Sequence, residues 1–281
     1  MEFTVHRKEK IYLVAMTVIS LILYGLLFLY RDTILHHTSM LSICGYIVTL
    51  VVFKLMGSLF LLGYLKGNAI KINQQQFPDI HGILESHAKK LDMQTPDMYL
   101  LQSNGALNAF ATRLIRRDYV IVYSDILELA YQEGIDVVSF IIGHELGHIK
   151  RNHTGFFKAV FLSPARFVPL LGYAYSRACE YTCDNIGYNL CPAGGLKGAL
   201  LLAAGKKLYK KINVEELVLN TRCESKFARG FAEIFSTHPA LVKRVNVMHD
   251  LNLTQVMPEK LSFISPAVNT QQLNKNQELS Q

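Results

Sequence analysis

Three residues near the middle of the chain have the types and spacing of a metal site. His144 and His148 are four residues apart in the segment His-Glu-Leu-Gly-His. On a helix this spacing places both imidazoles on one face, so they can bind the same metal ion. Glu145 points about 100° away around the helix axis, where it can reach a water molecule without becoming a ligand. The pattern predicts the HExxH site of a zinc hydrolase, with Glu145 as the general base.

The segment around this motif, residues 135–153, is predicted to be a buried helix. Asp136 is a suitable N-cap, and residues 152–155 form a suitable stop. Apolar side chains occur nearly all round the helix, which is typical of a helix at the centre of a domain. They are Val137, Val138, Phe140, Ile141, Ile142, Leu146 and Ile149.

A catalytic zinc ion needs a third protein ligand and an open position for water. The position ten residues after His144, a histidine in metzincins, is Thr154 here, and His153 is one place out of register, so a structural role is favoured for it. Glu180 and Asp184 are better candidates, because their spacing puts both carboxylates on one helix face. One of them can bind the metal while the other accepts a hydrogen bond from a ligand imidazole.

Four motifs in this order resemble the HtpX-type membrane zinc metallopeptidases, gluzincins related to the CAAX prenyl proteases. They are Asn-Ala-Phe at 108–110, the HELGH motif, Ser-Arg-Ala-Cys-Glu-Tyr-Thr-Cys-Asp at 176–184, and Ser-Thr-His-Pro at 236–239. The resemblance extends over residues 70–250 and implies a zincin-like metallopeptidase domain. It also implies one Zn²⁺ per chain, bound by His144, His148 and Glu180, with Glu145 as the base.

The same resemblance implies supporting roles for other residues. Asp184 would orient a ligand histidine, and Arg177 would be an ion-pairing residue near the site, as would Arg244. His238 would stabilise the oxyanion, although a His-Pro pair also suits the start of a helix. The substrate main chain would bind at Asn108, Ala109 and Phe110. One departure is that only 31 residues separate His148 from Glu180, where HtpX has membrane segments.

The composition points to membrane segments ahead of this domain. Half of the 281 residues are hydrophobic, and the mean hydropathy is +0.19. Residues 11–30 carry no charge and are long enough to span a bilayer, which favours a transmembrane helix over a cleaved signal peptide. Residues 40–65 form a second apolar run that is interrupted by Lys54. We predict a helical hairpin, with both termini on the cytoplasmic side because basic residues flank it there.

The net charge indicates which binding partners are favoured, and the cysteine content indicates the redox state of the compartment. The net charge of +7 and the absence of a nucleic-acid motif favour the lipid bilayer, or an ordinary basic surface, over nucleic acid. An odd count of five cysteines suits a reducing compartment. Cys179 and Cys183 could share a metal, but free core cysteines are the favoured interpretation.

The expected fold is α+β and mainly helical. Residues 1–68 form the membrane anchor, 69–257 the metallopeptidase domain and 258–281 a disordered tail. A small sheet lies beside the HExxH helix. Strands are predicted at 98–101, 104–111 and 119–123 and helices at 77–91, 124–134 and 198–211, while 156–175 is a buried or membrane-surface connection.

The favoured function is a multi-pass zinc endopeptidase of the cell (cytoplasmic) membrane with its catalytic domain in the cytoplasm. It would hydrolyse peptide bonds of membrane-associated or misfolded proteins. The alternatives are a zinc-stabilised membrane scaffold or binding protein that does not cleave, and a basic membrane-surface module whose histidine pair is incidental. A retained Glu145 favours the enzyme, because a structural zinc needs no base and usually has four protein ligands.

Overall fold

The computed structural model describes residues 3–33, 39–102, 108–115, 117–166, 168–223 and 226–264. It is a mainly helical α+β fold that begins with two long apolar helices, α1 (Arg7–Leu29) and α2 (Met40–Asn68). Both are long and apolar enough to cross a membrane by length and composition. Their apolar side chains are largely exposed, with Phe53 80% and Phe60 77% accessible on α2.

A four-stranded mixed sheet follows α2. Its strands are β1 (Ala69–Ile72), β2 (Asp97–Leu101), β3 (Ala109–Leu114) and β4 (Arg117–Tyr123), in the spatial order β1-β2-β4-β3. β2 and β4 are parallel, and the two outer strands run antiparallel to their neighbours. The prediction of a small sheet is confirmed, although β1 was not predicted because four residues directly after an apolar helix carry little pattern.

The strand predicted at 104–111 lies further along the chain, at Ala109–Leu114. Leu114 pairs with Arg117 across a tight hairpin, and Ala109 pairs with Val122. The turn therefore sets the register, and the strand must continue to the residue that begins the turn. Residues 103–107 lie outside the described part of the chain.

The helices of the domain surround α5 (Asp136–Lys150), most of whose residues are buried. Helices α3 (Pro78–Lys90), α8 (Leu171–Leu190) and α9 (Pro192–Leu208) pack against it. The other helices are α4 (Ser124–Glu133), α6 (Phe156–Phe161), α7 (Ser163–Arg166), α10 (Val214–Cys223), α11 (Lys226–Ile234) and α12 (Leu241–Ile264).

Two boundaries differ from the sequence prediction. Helix α9 begins at Pro192, a favourable first helical residue, and ends at Leu208, before a 3-10 turn at Tyr209–Lys211. Helix α12 continues past Pro258, where we expected a tail, to Ile264, because a proline removes only one intrahelical hydrogen bond and can be accommodated by a kink. Residues 265–281 lie outside the described part.

The connection at 156–175 packs along α1. Met16 of α1 is fully buried in a cluster with Leu162 and Ala165. Further along α1, the Tyr24 hydroxyl donates a hydrogen bond to the Val160 carbonyl oxygen at 3.1 Å. Helices α6 and α7 therefore bind the first apolar helix to the helices of the domain.

Glycines allow α5 and α8 to approach closely. A Cβ added to Gly187 of α8 would lie 2.8 Å from the carbonyl oxygen of Phe140 on α5, and one added to Gly143 would lie 3.0 Å from the Cα of Gly187. A Cβ at Gly147 would meet Cys183 at 3.2 Å. These contacts leave no room for side chains, so the two helices that carry the predicted ligands cross with their backbones in contact.

Candidate metal centre

The crossing of α5 and α8 brings the three predicted ligands together. The Nε2 atoms of His144 and His148 are 3.3 Å apart. The two Glu180 carboxylate oxygens lie 3.5 Å from His144 Nε2 and 3.4 Å from His148 Nε2. The three side chains are mostly or fully buried, and each offers one ligand atom to a common point.

These distances fit a small cation. Ligand atoms about 2.1 Å from a tetrahedral ion lie about 3.4 Å from one another. The two Nε2 atoms are 3.3 Å apart, and each of them lies at a similar distance from one of the two Glu180 oxygens. Two imidazole nitrogens and one carboxylate oxygen also form the donor set of a three-ligand catalytic metal site. The residues therefore fit a divalent metal ion.

Asp184 fixes the orientation of His144 by contacting the side of the imidazole ring that faces away from the candidate metal position. Its Oδ1 lies 2.9 Å from His144 Nδ1, which assigns the proton to Nδ1 and leaves the Nε2 lone pair for a metal. Arg244 in turn donates to both oxygens of the fully buried Asp184 carboxylate, at 2.6 and 2.8 Å. Such a bidentate pair holds the carboxylate in one position.

The charges at this site favour a cation. Burial raises the pKa of the Glu180 carboxyl, but hydrogen bonds from His144 and His148 outweigh burial and hold that pKa well below its ordinary value. Burial lowers the pKa of the His144 imidazole, but Asp184 and Glu180 outweigh burial and raise it to about 10. The ionised Glu180 carboxylate thus favours positive charge at the point where the imidazole Nε2 atoms meet, while the charge of Asp184 is paired with Arg244.

A cleft of about 670 Å³ opens over the three donors and is lined by Glu145, Asn108, Ala109, Phe110 and His238, among others. Glu145 is buried beside the two histidines, 7% exposed. Asn108 precedes β3, an edge strand of the sheet, and its Oδ1 accepts a hydrogen bond from the Ala109 N–H at 2.9 Å. The cleft therefore joins the metal-binding donors to the edge of the sheet.

Of two further predicted residues, His238 lies at the rim of the cleft and Arg177 lies behind it. The His238 Nε2 atom is 3.5 Å from Glu180 Oε1, and the His238 side chain is 65% exposed. Arg177 donates from Nη1 to the carbonyl oxygens of Glu233, Ile234 and Ser236, at 2.7 to 3.2 Å. Arg177 therefore holds the segment before His238 through main-chain contacts.

Sequence reasoning missed a second set of contacts behind His148. The His148 Nδ1 atom lies 3.2 Å from His153 Nδ1, and His153 Nε2 lies 3.3 Å from the Glu9 carboxylate on α1. Arg151 donates to the same Glu9 oxygen at 2.9 Å. Glu9 gave no local signal because it lies more than 140 residues away and resembles an ordinary charge flanking an apolar helix.

Two histidines of an HExxH helix and a carboxylate from a neighbouring helix define the donor arrangement of a metallopeptidase. The comparison with protein families agrees. The model of peptidase family M48 matches residues 74–160 and 155–252, more than half of the chain, and the chain belongs to this family. This confirms the family resemblance drawn from the four motifs.

A curated relative supports the same assignment. The plastoglobule-localized metallopeptidase 48 of Arabidopsis thaliana, a chloroplastic protein, is 28% identical over 133 residues. The match covers 42% of this chain and 38% of the relative. The chain thus spans well under half of the length of the relative that it matches.

Proposed function

We propose that the protein is a zinc endopeptidase that hydrolyses peptide bonds in a zincin-like domain. Membership of family M48 supports metallopeptidase activity. The observation that carries the proposal is the meeting of the His144, His148 and Glu180 donor atoms at 3.3 to 3.5 Å, beside Glu145 in an open cleft.

His144, His148 and Glu180 would hold one Zn²⁺ per chain. The two imidazoles and one carboxylate are ligands that zinc accepts, and three protein ligands leave a position open for chemistry. When bound, the ion supplies Lewis-acid polarisation of a carbonyl and lowers the pKa of water towards about 7.

Glu145 would act as the general base and then as the general acid. Its carboxylate takes a proton from the attacking water and delivers that proton to the nitrogen of the leaving amine. His238, on the exposed rim of the cleft, would donate a hydrogen bond to the oxygen that becomes negative in the transition state. Asp184 keeps the His144 imidazole in its ligand tautomer through the 2.9 Å contact.

The substrate would be a protein or peptide in an extended conformation. β3 is at the edge of the sheet, and Asn108, Ala109 and Phe110 at its start line the cleft. An extended segment can add to such an edge by main-chain hydrogen bonds, which gives recognition with little sequence preference. This mode suits unfolded or misfolded regions of membrane-associated proteins.

Replacing Glu145 with Gln tests the mechanism. The substitution keeps the size of the side chain and removes the base, so cleavage of an unfolded protein by purified enzyme should fall at least about 100-fold. A zinc chelator should abolish wild-type cleavage in the same assay. Undiminished cleavage by Glu145→Gln would contradict the mechanism, and a zinc-loaded wild-type protein that cleaves nothing would support a scaffold instead.

We also propose that α1 and α2 cross a cell membrane, with both ends of the hairpin and the catalytic domain on the cytoplasmic side. The exposure of large apolar side chains along both helices supports membrane contact, because such surface is unfavourable in water. The full chain should resist alkaline carbonate extraction from cell membranes. Complete release by carbonate, without detergent, would contradict the proposal.

A further inference from the structure

The two candidate ligand histidines have matching supports on their outer sides. His144 Nδ1 contacts Asp184, and Arg244 donates to that carboxylate. On the other side, the contacts run from His148 through His153 to Glu9, and Arg151 donates to Glu9. Each imidazole is thus backed by a buried carboxylate that an arginine holds in place. Asp184 contacts its ligand histidine directly, whereas Glu9 contacts His148 only through the imidazole of His153.

The positions of the protons on His148 and His153 follow from the metal ligand atom at one end of this set of contacts and the Glu9 carboxylate at the other. If His148 uses Nε2 as a ligand atom, its Nδ1 carries the proton and donates to His153 Nδ1 at 3.2 Å. His153 must then carry its own proton on Nε2, which lies 3.3 Å from Glu9 Oε1 and donates to it. A proton on His153 Nδ1 would instead point at the Nδ1–H of His148, and the two donors would repel each other. The carboxylate therefore selects the tautomer that leaves His148 ready to bind a metal.

Glu9 is held firmly in this position. Its side chain is fully buried although it lies near the start of an exposed helix. The main-chain N–H of His6 donates to Thr182 Oγ1 on α8 at 3.0 Å. The His6 ring packs on the Tyr181 ring, with 5.2 Å between the ring centroids. The first turn of α1 is thus attached to the helix that carries Glu180.

A second metal site explains this cluster less well. Glu9, His153 and Cys179 each offer a ligand atom within 4.8 Å of the others. However, the Arg151 guanidinium already lies 2.9 Å from Glu9 and supplies the positive charge.

We propose that Glu9 is a positioning residue for the metal centre, acting through His153 to orient His148. The inference rests on the proposed zinc site. It assigns to the first apolar helix a role in metal binding besides that of an anchor. Partners in contact with ligand histidines usually contribute 10- to 100-fold to metal affinity.

The test is the Zn²⁺ dissociation constant of the full chain, purified in detergent and measured by competition with a chromophoric chelator. Glu9→Gln should weaken Zn²⁺ binding by about 10-fold, because an amide oxygen is a weaker acceptor than a carboxylate. Asp184→Asn, which breaks the direct support of His144, should weaken binding at least as much. Lys10→Gln is the matched control, since Lys10 is exposed and adjacent to Glu9, and it should bind Zn²⁺ as wild type does.

A double-mutant cycle separates positioning from a general effect on folding. His153→Gln should weaken Zn²⁺ binding by itself, and adding Glu9→Gln to it should change the dissociation constant by less than about 2-fold. If Glu9→Gln does not fold, His153→Gln alone decides, because it interrupts the contact and leaves Arg151 to pair with Glu9.

Equal Zn²⁺ affinity of wild type and a folded Glu9→Gln would overturn the proposal. It would also be overturned if Glu9→Gln weakened Zn²⁺ binding by the same factor in wild type and in His153→Gln. If His153→Gln is the variant that decides, unchanged Zn²⁺ affinity overturns it. These failures differ from failure of the proposed function, in which the wild-type protein itself would not bind Zn²⁺ or would not cleave.

Discussion

At the scale of single residues, the spacing of one helical turn picks out the side chains that meet between α5 and α8. His144 and His148 form one such pair, and Glu180 and Asp184 form the other. Spacing alone left open which carboxylate faces the metal. In the structure Glu180 faces the imidazole Nε2 atoms and Asp184 faces Nδ1 of His144. The family resemblance implied this division.

Residues that meet only through tertiary packing could not be predicted in this way. Glu9 contacts His153 and Arg151 across more than 140 residues. Its neighbours Lys8 and Lys10 suggested a charged flank before an apolar helix, which is the common environment of such a glutamate. The docking of the first turn of α1 on α8 decides its role, and neither periodicity nor composition encodes that docking.

At the scale of elements, the close crossing of α5 and α8 brings the candidate ligands together. Gly143, Gly147 and Gly187 lie where any Cβ would press on the other helix. The sequence showed glycines inside helices, which by propensity alone are unfavourable there. The close approach of the partner helix explains these glycines, and it is known only from the structure. The boundaries of β3 are likewise set by hairpin pairing, and α9 begins at a proline in its first helical position. Local sequence pattern reveals such boundaries only approximately.

A Gly187→Ala variant tests whether this contact matters. Its Cβ would lie 2.8 Å from the Phe140 carbonyl oxygen, so the helices must separate. We expect a loss of about 1–3 kcal/mol in the free energy of unfolding, as for other overpacked cores. Zn²⁺ affinity should fall as well, because Glu180 moves away from the histidines. Thermal or denaturant unfolding and chelator competition measure the two effects.

Gly82→Ala is the matched control for this experiment. Gly82 lies on α3, and a Cβ added there meets nothing within 4 Å. Alanine at an open helical position should stabilise the protein by about 0.5–1 kcal/mol. A Gly187→Ala protein as stable as wild type, with unchanged Zn²⁺ affinity, would show that close packing of α5 and α8 is not required.

At the scale of the whole molecule, the first apolar helix contributes to the candidate metal centre. Helix α1 exposes apolar side chains along most of its length, yet its first turn contacts the back of the metal centre. The connection at 156–175 packs against the same helix. Composition alone predicted membrane segments and a separate domain, but it could not reveal that the first apolar helix contacts the candidate site.

In the proposed enzyme, three side chains from two helices hold one metal ion, and Glu145 lies beside the ion without binding it. The most direct measurement is the zinc content of two variants that make the same chemical change, Glu180→Gln and Glu145→Gln, purified alongside wild type. We predict about one zinc per chain for wild type and Glu145→Gln, and a large loss for Glu180→Gln. Full zinc content in Glu180→Gln, or loss in Glu145→Gln with Glu180→Gln unaffected, would contradict the account.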